Sequence, residues 1–443
     1  MQNIATSVQL KERNMARVMT IIRTRGPISR INVAKELDLS PPTVSSVVEE
    51  LLADRLVEEV GVGLSGGGRK PVLLALKPDA AYALGADFSD QSVKVAVVDL
   101  AGRVAEKREK HFGKSAAWSE MVAALGDFSQ ELGERYPVAG LGVAAPGIVS
   151  PEGMLHYASL QDWHNLPLRE DCEAVFSGIV AVENNVRAMA LGEYWFGAGE
   201  QLQNLIMVRI GGGVGSGIVL DGQIFRGDLG AAGEIGHMTV EPGGPKCSCG
   251  NLGCLEAVAA VPVLLEKFGG SETDLAAALA RADQRAGAIV EEAGEALGIA
   301  LANLINLLSP RLIVLSCPLE ELLTSLLPIV RRVVQRRSIS WQRGRVAIVA
   351  SDHGQNASVV GAATLILSRL LSQPRTFFLK TATNAYTGTR APKNPSEAEK
   401  PGGSRGNGGT HGGSVTEGND NPANGIEGEV LYDASAPNEE NMI

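Results

Sequence analysis

Gly233-Glu234-Ile235-Gly236-His237 and, ten residues after that histidine, Cys247-Ser248-Cys249-Gly250-Asn251-Leu252-Gly253-Cys254-Leu255-Glu256 carry the densest chemistry in the chain. Three of the five cysteines fall within eight residues, with His237 just upstream. Imidazole and thiolate are ligands that zinc takes, and one histidine with three cysteines closes a tetrahedron. A closed site leaves no position for catalytic water. A single Zn2+ held by His237, Cys247, Cys249 and Cys254 is therefore expected to build a loop rather than do chemistry. Gly250 and Gly253 would let that loop curl around the ion. The competing reading is three buried free thiols brought together by chance, and the rarity of cysteine here weighs against it.

The same two segments resemble the signature of the ROK family (repressors, open reading frames and kinases), over most of residues 10–370. The resemblance implies that Glu234, His237 and Glu256 contact hydroxyls of a bound sugar. His237 then has two roles, one ring nitrogen on the metal and the other on the sugar. Glu234 and His237 share a face if their segment is helical. The implied fold class is α/β: an actin-like, two-lobed sugar-kinase body with a cleft between its lobes.

Whole-chain properties fit a globular protein of two or three domains. The chain has 443 residues, 44% of them hydrophobic and 20% charged. No apolar run approaches membrane-spanning length; the best, residues 301–315, is broken by Pro310 and Arg311. The N-terminus has no signal-peptide core, and no membrane partner is expected. With three cysteines committed to a metal, only Cys172 and Cys317 remain, which suits a reducing cytoplasm better than a disulfide framework. Net charge is −10, against nucleic-acid binding throughout, yet residues 1–80 hold 11 Lys/Arg against 9 Asp/Glu. A mildly basic head on an acidic body suits a small DNA-reading module.

That head reads as three helices and a hairpin. Residues 10–25 carry apolar positions at 15, 18, 19, 21 and 22 and stop at Gly26-Pro27. Ser29 caps a second helix. Ser40 caps a third, in which Pro41 and Pro42 fit the first turn. Helix, short turn and a helix that begins Pro42, Thr43, Ser45, Ser46 is the helix-turn-helix pattern, with short side chains able to approach base edges and phosphates. An ordinary three-helix adaptor is the bland alternative. Strands at 56–60 and 71–76, joined through Gly66-Gly67-Gly68-Arg69-Lys70, make a wing whose two cations can meet a groove or phosphates. A solvated hairpin tip would look the same. The segment also resembles the wing of family repressors, whereas family kinases usually lack this head.

From residue 83 strands and helices alternate, which implies sheets covered by helices. A hairpin spans 84–99, and strands are expected at 139–146, 179–183, 205–210, 217–220, 312–315 and 345–350. Helices are expected near 257–267, 272–308, 319–335 and 356–371. The domain reading is a winged helix-turn-helix at 1–80, a first lobe at 81–196 closed by the 356–371 helix, and a second lobe at 197–355 with the zinc loop. Residues 373–443, rich in Gly, Asn and Pro, bury too little to offset their ordering entropy and are expected to be disordered.

Phosphoryl transfer to a sugar hydroxyl needs a base there and a cradle for the ATP phosphates. Val182-Glu183-Asn184-Asn185-Val186-Arg187-Ala188 matches the family's Glu-Asn-Asp segment, but Asn185 stands where kinases have the catalytic Asp. Asn184 and Asn185 can still hydrogen-bond a sugar; an amide cannot take its proton. Kinases have a glycine turn where this chain has Asp87-Phe88-Ser89-Asp90-Gln91, and Asp90 repels phosphate. Gly212 replaces a threonine within Gly211-Gly212-Gly213-Val214-Gly215, and Ser316-Cys317-Pro318 replaces the turn facing adenosine. All four departures lie on the catalytic and nucleotide side. The expectation is a non-enzymatic, sugar-responsive regulator, a repressor of carbohydrate-utilisation genes. As a dimer or dimer of dimers it binds an inverted-repeat operator. The alternatives are an active sugar kinase with a regulatory head, and a repressor controlled by a protein partner.

Overall fold

The computed structural model describes residues 7–374 apart from 64–69, 90, 114–115, 159–160, 201 and 341–342. Helix α1 (Ser7–Arg25) buries Met15, Val18, Met19 and Ile22, the spacing of one helix face. Strand β1 (Ile28–Ser29), α2 (Arg30–Leu37) and α3 (Pro41–Ala53) follow. Both expected N-caps are present: the Ser29 and Ser40 hydroxyls accept the backbone N–H of Asn32 and Thr43, each at 3.3 Å. β2 (Val57–Val62) and β3 (Val72–Leu76) pair antiparallel, and β1 adds to β3. This is the order of a winged helix; residues 64–69, where the sequence reading put the tip of the wing with Arg69, lie outside the described residues.

The first lobe runs β4 (Tyr82–Ser89), β5 (Ser92–Asp99), β6 (Val104–His111), α4 (Trp118–Gly133), β7 (Val138–Ala145), β8 (Ile148–Val149), β9 (Leu155–Ala158), β10 (Trp163–Leu166), α5 (Leu168–Val175), β11 (Val180–Asn184) and α6 (Asn185–Phe196). Its main sheet is ordered β11-β7-β4-β5-β6; the small strands β8 to β10 form a sheet of their own. The second lobe runs β12 (Leu205–Ile210), β13 (Val214–Leu220), β14 (Gln223–Ile224), α7 (Glu256–Ala259), α8 (Val261–Phe268), α9 (Glu272–Ala280), α10 (Gln284–Leu308), β15 (Leu312–Ser316), α11 (Glu320–Arg337) and β16 (Ala347–Ala350). Its sheet, β16-β15-β12-β13-β14, repeats the first: an antiparallel meander of three strands, then two parallel strands beside the first of them. That duplication is the actin-like architecture.

Two expected helices are each broken in two. The 272–308 helix stops at Ala280 because Ala282 turns left-handed (φ +55°) and Asp283 starts a new helix, its carboxylate accepting from Arg285 and Ala286 N–H. The 257–267 helix breaks at Ala260, where the backbone goes extended and Pro262 opens α8. The strand expected at 217 begins at Val214, so half of the glycine run is sheet.

The last described helix, α12 (Ala357–Ser372), returns to the first lobe, as expected for the 356–371 segment. It lies on the sheet so closely that a Cβ on Gly85 would stand 1.9 Å from Val359 O, and one on Gly142 1.8 Å from Ala362 O. Head and first lobe share an apolar core, with Met15, Val18 and Ile22 clustered with Val359, Leu367 and Leu370. The second lobe has its own core under α8 to α11. No helix among the described residues is long and apolar enough to cross a membrane. Gly142→Ala forces backbone against backbone, and is expected to lower stability by about 1–3 kcal/mol or more, read as a fall in melting temperature.

Candidate functional site

Between the lobes lies a cavity of about 140 Å³. Asn184, Asn185, Glu234, His237 and Glu256, expected from far-apart segments to meet a sugar, all line it. Asn184 ends β11 and caps α6, its Oδ1 accepting from Val186 and Arg187 N–H at 3.0 Å while its Nδ2 donates to Gly147 O at 2.8 Å. Asn185 Oδ1 accepts from Val186 N–H at 2.8 Å. Glu234 precedes a single 3-10 turn, Ile235–His237, rather than sitting within an α-helix. Its carboxyl faces the open cleft, and desolvation by the walls raises it above the ordinary carboxylate range. His237 and Arg187 oppose that rise, and nearby Glu256 adds to it. Glu256 opens α7, where Oε2 accepts from Val214 N–H at 3.2 Å and Oε1 from the Ser248 hydroxyl at 3.3 Å. It thus joins the cysteine loop to the glycine strand.

The cysteine loop is shaped to chelate. Gly250 and Gly253 adopt φ +93° and +71°, and a Cβ on Gly253 would stand 1.7 Å from Glu241 O. One ligand atom from each of His237, Cys247, Cys249 and Cys254 lies within 4.8 Å of the others. His237 Nδ1 is 3.6 Å from Cys247 Sγ, and Cys249 Sγ is 3.7 Å from Cys254 Sγ. With Zn–S near 2.3 Å and Zn–N near 2.0–2.1 Å, tetrahedral edges come to about 3.6 Å for N···S and about 3.8 Å for S···S. The residues therefore fit a four-coordinate metal. A backbone hydrogen bond from Asn251 brings the exposed Cys249 thiol down to about 7, whereas burial pushes the neighbouring Cys254 up to about 12, so Cys249 is the first of the two to ionise. By contrast, burial pushes Cys172 up to about 12 and Cys317 up to about 11, as expected of packed, unreactive thiols.

Several residues of the site were not singled out from sequence. Gln161, Arg209 and Ser89 also line the cavity, and Gln161 Oε1 is a buried acceptor with no hydrogen-bond partner among the described residues. Below the cleft Glu183 is 2% exposed. Arg187 Nε donates to its Oε1 at 2.8 Å, and Arg226, from the second lobe, donates to its Oε2 at 2.7 Å. Arg187, itself 2% exposed, also holds Val149 O and Gly230 O. Arg187 was legible only as part of a motif, and Arg226 carried no local signal. Asp87 is fully buried, and burial raises its carboxyl despite hydrogen bonds from the Ser89 and Ser358 hydroxyls. It does not line the cavity.

On the head, Pro42 and Ser46 are exposed on α3 and Lys70 is exposed at the foot of the wing. Ser45 is half-buried. The Thr43 hydroxyl is engaged with that of Ser40 at 2.7 Å. Arg69 and Asp90 lie outside the described residues.

Fold and site together define a two-lobed, sugar-kinase-type body behind a winged-helix head. The chain belongs to the ROK family, whose description matches residues 83–369. It is 29% identical over 379 residues to the xylose repressor of Bacillus subtilis, covering 83% of this chain and 98% of that protein. Among solved structures it resembles a ROK family transcriptional regulator described as a homolog of the E. coli MLC protein (TM-score 0.70, 27% identity, 84% of this chain and 99% of that one). It also resembles a ROK family glucokinase from Streptomyces griseus, solved with glucose and AMPPNP. That match has TM-score 0.59 and 27% identity, and covers 64% of this chain and 98% of the kinase. The family thus holds repressors and kinases alike, and the regulator matches a longer stretch of this chain than the kinase does.

Removing one partner of a buried charge cluster leaves the other uncompensated. Arg187→Met is expected to lower stability by about 3 kcal/mol or more, measured as a drop in melting temperature, with Arg226 holding Glu183 only in part.

Proposed function

We propose that this chain is a sugar-responsive transcriptional repressor of carbohydrate-utilisation genes. Residues 1–80 bind operator DNA, residues 81–372 bind a sugar between two lobes without phosphorylating it, and a structural zinc shapes the rim of that cleft. The observation that carries the reading is the convergence of Asn184, Asn185, Glu234, His237 and Glu256 on one cleft in a chain that also has a winged-helix head. Carboxylates, amides and an imidazole are the groups that take sugar hydroxyls, while Asn185 offers no base; loss of a base typically lowers a rate by ~10²–10⁴-fold. The similarity to repressors along head and body supports the same assignment. Pro42, Ser45, Ser46, Arg69 and Lys70 face the duplex in this reading, and Thr43 buttresses the cap that presents them. Two heads in a dimer read an inverted repeat whose half-sites lie about one helical turn, or a multiple, apart. Sugar binding shifts the lobes and so the heads.

Purified without chelator, the protein is expected to carry about one zinc per chain. Cys249→Ser should lower the metal content and weaken sugar binding, because Ser248 and Glu256 ride on that loop. Metal analysis that finds no zinc would remove this part of the proposal.

A thermal-shift screen of monosaccharides, amino sugars and their phosphates, beginning with xylose and glucose, should find a ligand that raises the melting temperature with concentration and alters affinity for a DNA duplex selected by the protein. Glu256→Ala should abolish both effects together and leave ligand-free DNA binding largely intact. ATP turnover with that same sugar at about 1 s⁻¹ or above, the ordinary enzymatic range, would make the protein a kinase instead.

A further inference from the structure

We infer that Arg23 is a positioning residue: through α6 it ties the head to the cleft, so that what fills the cleft at one end of that helix sets where the head lies at the other. The inference rests on the sugar-binding reading above.

Helix α6 starts in the cavity, where Asn184 caps it and Asn185 is its first residue, and both line the site. Its 12 residues span about 18 Å. Nothing along it has room to yield. Val186 to Glu193 are all buried. A Cβ on Gly217 of β13 would stand 2.4 Å from Val186 O, and one on Gly361 of α12 would stand 2.4 Å from Ala188 O. A helix gripped on two sides transmits a displacement of its first turn as a rigid rod.

The last turn of α6 meets the head at Arg23. Arg23 Nη1 donates to Trp195 O at 2.7 Å and pairs with Glu200 at 2.6 Å. Its guanidinium stands 5.4 Å from the centre of the Trp195 ring and 5.5 Å from that of Phe196. Phe196 is itself seated on Gly102, where a Cβ would come within 2.4 Å of its ring. The Arg23 side chain is 10% exposed, and burial lowers its proton affinity against the pull of Glu200. The head also touches the body through apolar contacts of α1 with α12. Apolar contact is non-directional and tolerates sliding, whereas a guanidinium whose Nη1 meets both a carbonyl and a carboxylate, and whose flat group lies against two rings, is held at set distances. Beside it a cavity of about 340 Å³, lined by Ile22 and Pro27 of the head and Ala101 and Phe196 of the body, leaves space for the head to pivot about that contact.

The test uses the full-length protein, a duplex selected by the wild type, and xylose and glucose as probes. Sugar binding is read by thermal shift and DNA binding by fluorescence anisotropy. For Arg23→Met, sugar affinity and ligand-free DNA affinity are expected to stay within about threefold of wild type, while the sugar-induced change in DNA affinity falls below about twofold. Arg23→Lys, which keeps the charge beside Glu200 but not the planar fork, should recover part of the response. It also serves as the test protein if Arg23→Met does not fold. A wild-type response from Arg23→Met, or a full one from Arg23→Lys, overturns the inference. If neither these two nor any other sugar of the screen changes wild-type DNA binding, the sugar reading itself is at fault. The joint is then judged by a double-mutant cycle of Asn185→Ala and Arg23→Met on DNA affinity. Non-additivity of about threefold or more sustains the coupling, and additivity overturns it.

Discussion

Glu183 sits 2% exposed at the end of β11, with an arginine of its own lobe on one oxygen and an arginine of the other lobe on the second. Burying a carboxylate in its charged form needs such partners, since desolvating the charge alone is prohibitive. The requirement therefore acts as a constraint on the lobes. Arg226 must reach across, and with it comes the chain that leads through Gly230 to Glu234. Arg187 reaches the same stretch by taking the Gly230 carbonyl. The position of Glu234 in the cleft, and so the shape offered to a ligand, follows from how one buried charge is neutralised. The cysteine loop does the equivalent close by, on the same lobe. There Ser248 and Val214 fix the two oxygens of Glu256.

What could be read from sequence was local. The chelating loop was legible because ligand identity, spacing and the two turn glycines all sit within one short stretch, and φ at Gly250 and Gly253 bears this out. The caps at Ser29 and Ser40 were legible for the same reason. The breaks at Ala260 and Ala282 were not, because neither residue carries a turn preference of its own; the residues that restart the helices, Pro262 and the cap Asp283, lie one or two positions further on. Nor was the duplication of the two sheets, since strand order depends on pairings between residues far apart in the chain. Arg187, Arg226, Arg209 and Gln161 belong to the same category. An arginine is an unremarkable surface residue until the fold puts a buried carboxylate opposite it.

The glycines show a second kind of hidden constraint. Gly85, Gly142 and Gly361 all have ordinary backbone conformations, so no turn calls for them. They are required because α12 lies against the sheet on one side and α6 on the other at backbone contact. Three layers closed to that distance shift together rather than past one another. Movement is thus left to the places away from these layers that stay open, the cleft and the joint with the head among them.

A cleft that binds a sugar and does nothing to it is suited to sensing, because occupancy then reports concentration at equilibrium and is not drained by turnover. The substitution proposed to achieve this, an asparagine at 185, is structurally conservative. Its Oδ1 still accepts the Val186 N–H, as a carboxylate would, so the first turn of α6 stays capped beside Asn184. What is lost is the negative charge and the capacity to take a proton. Loss of the charge also removes a favourable interaction with the helix N-terminus, which a neutral cap recovers only in part. The cap therefore leans on its hydrogen bonds to the backbone N–H groups of Val186 and Arg187 and to Gly147, and of these Val186 and Gly147 border the cavity. A hydroxyl that entered there would compete for or extend those bonds at the very turn from which α6 runs to the head.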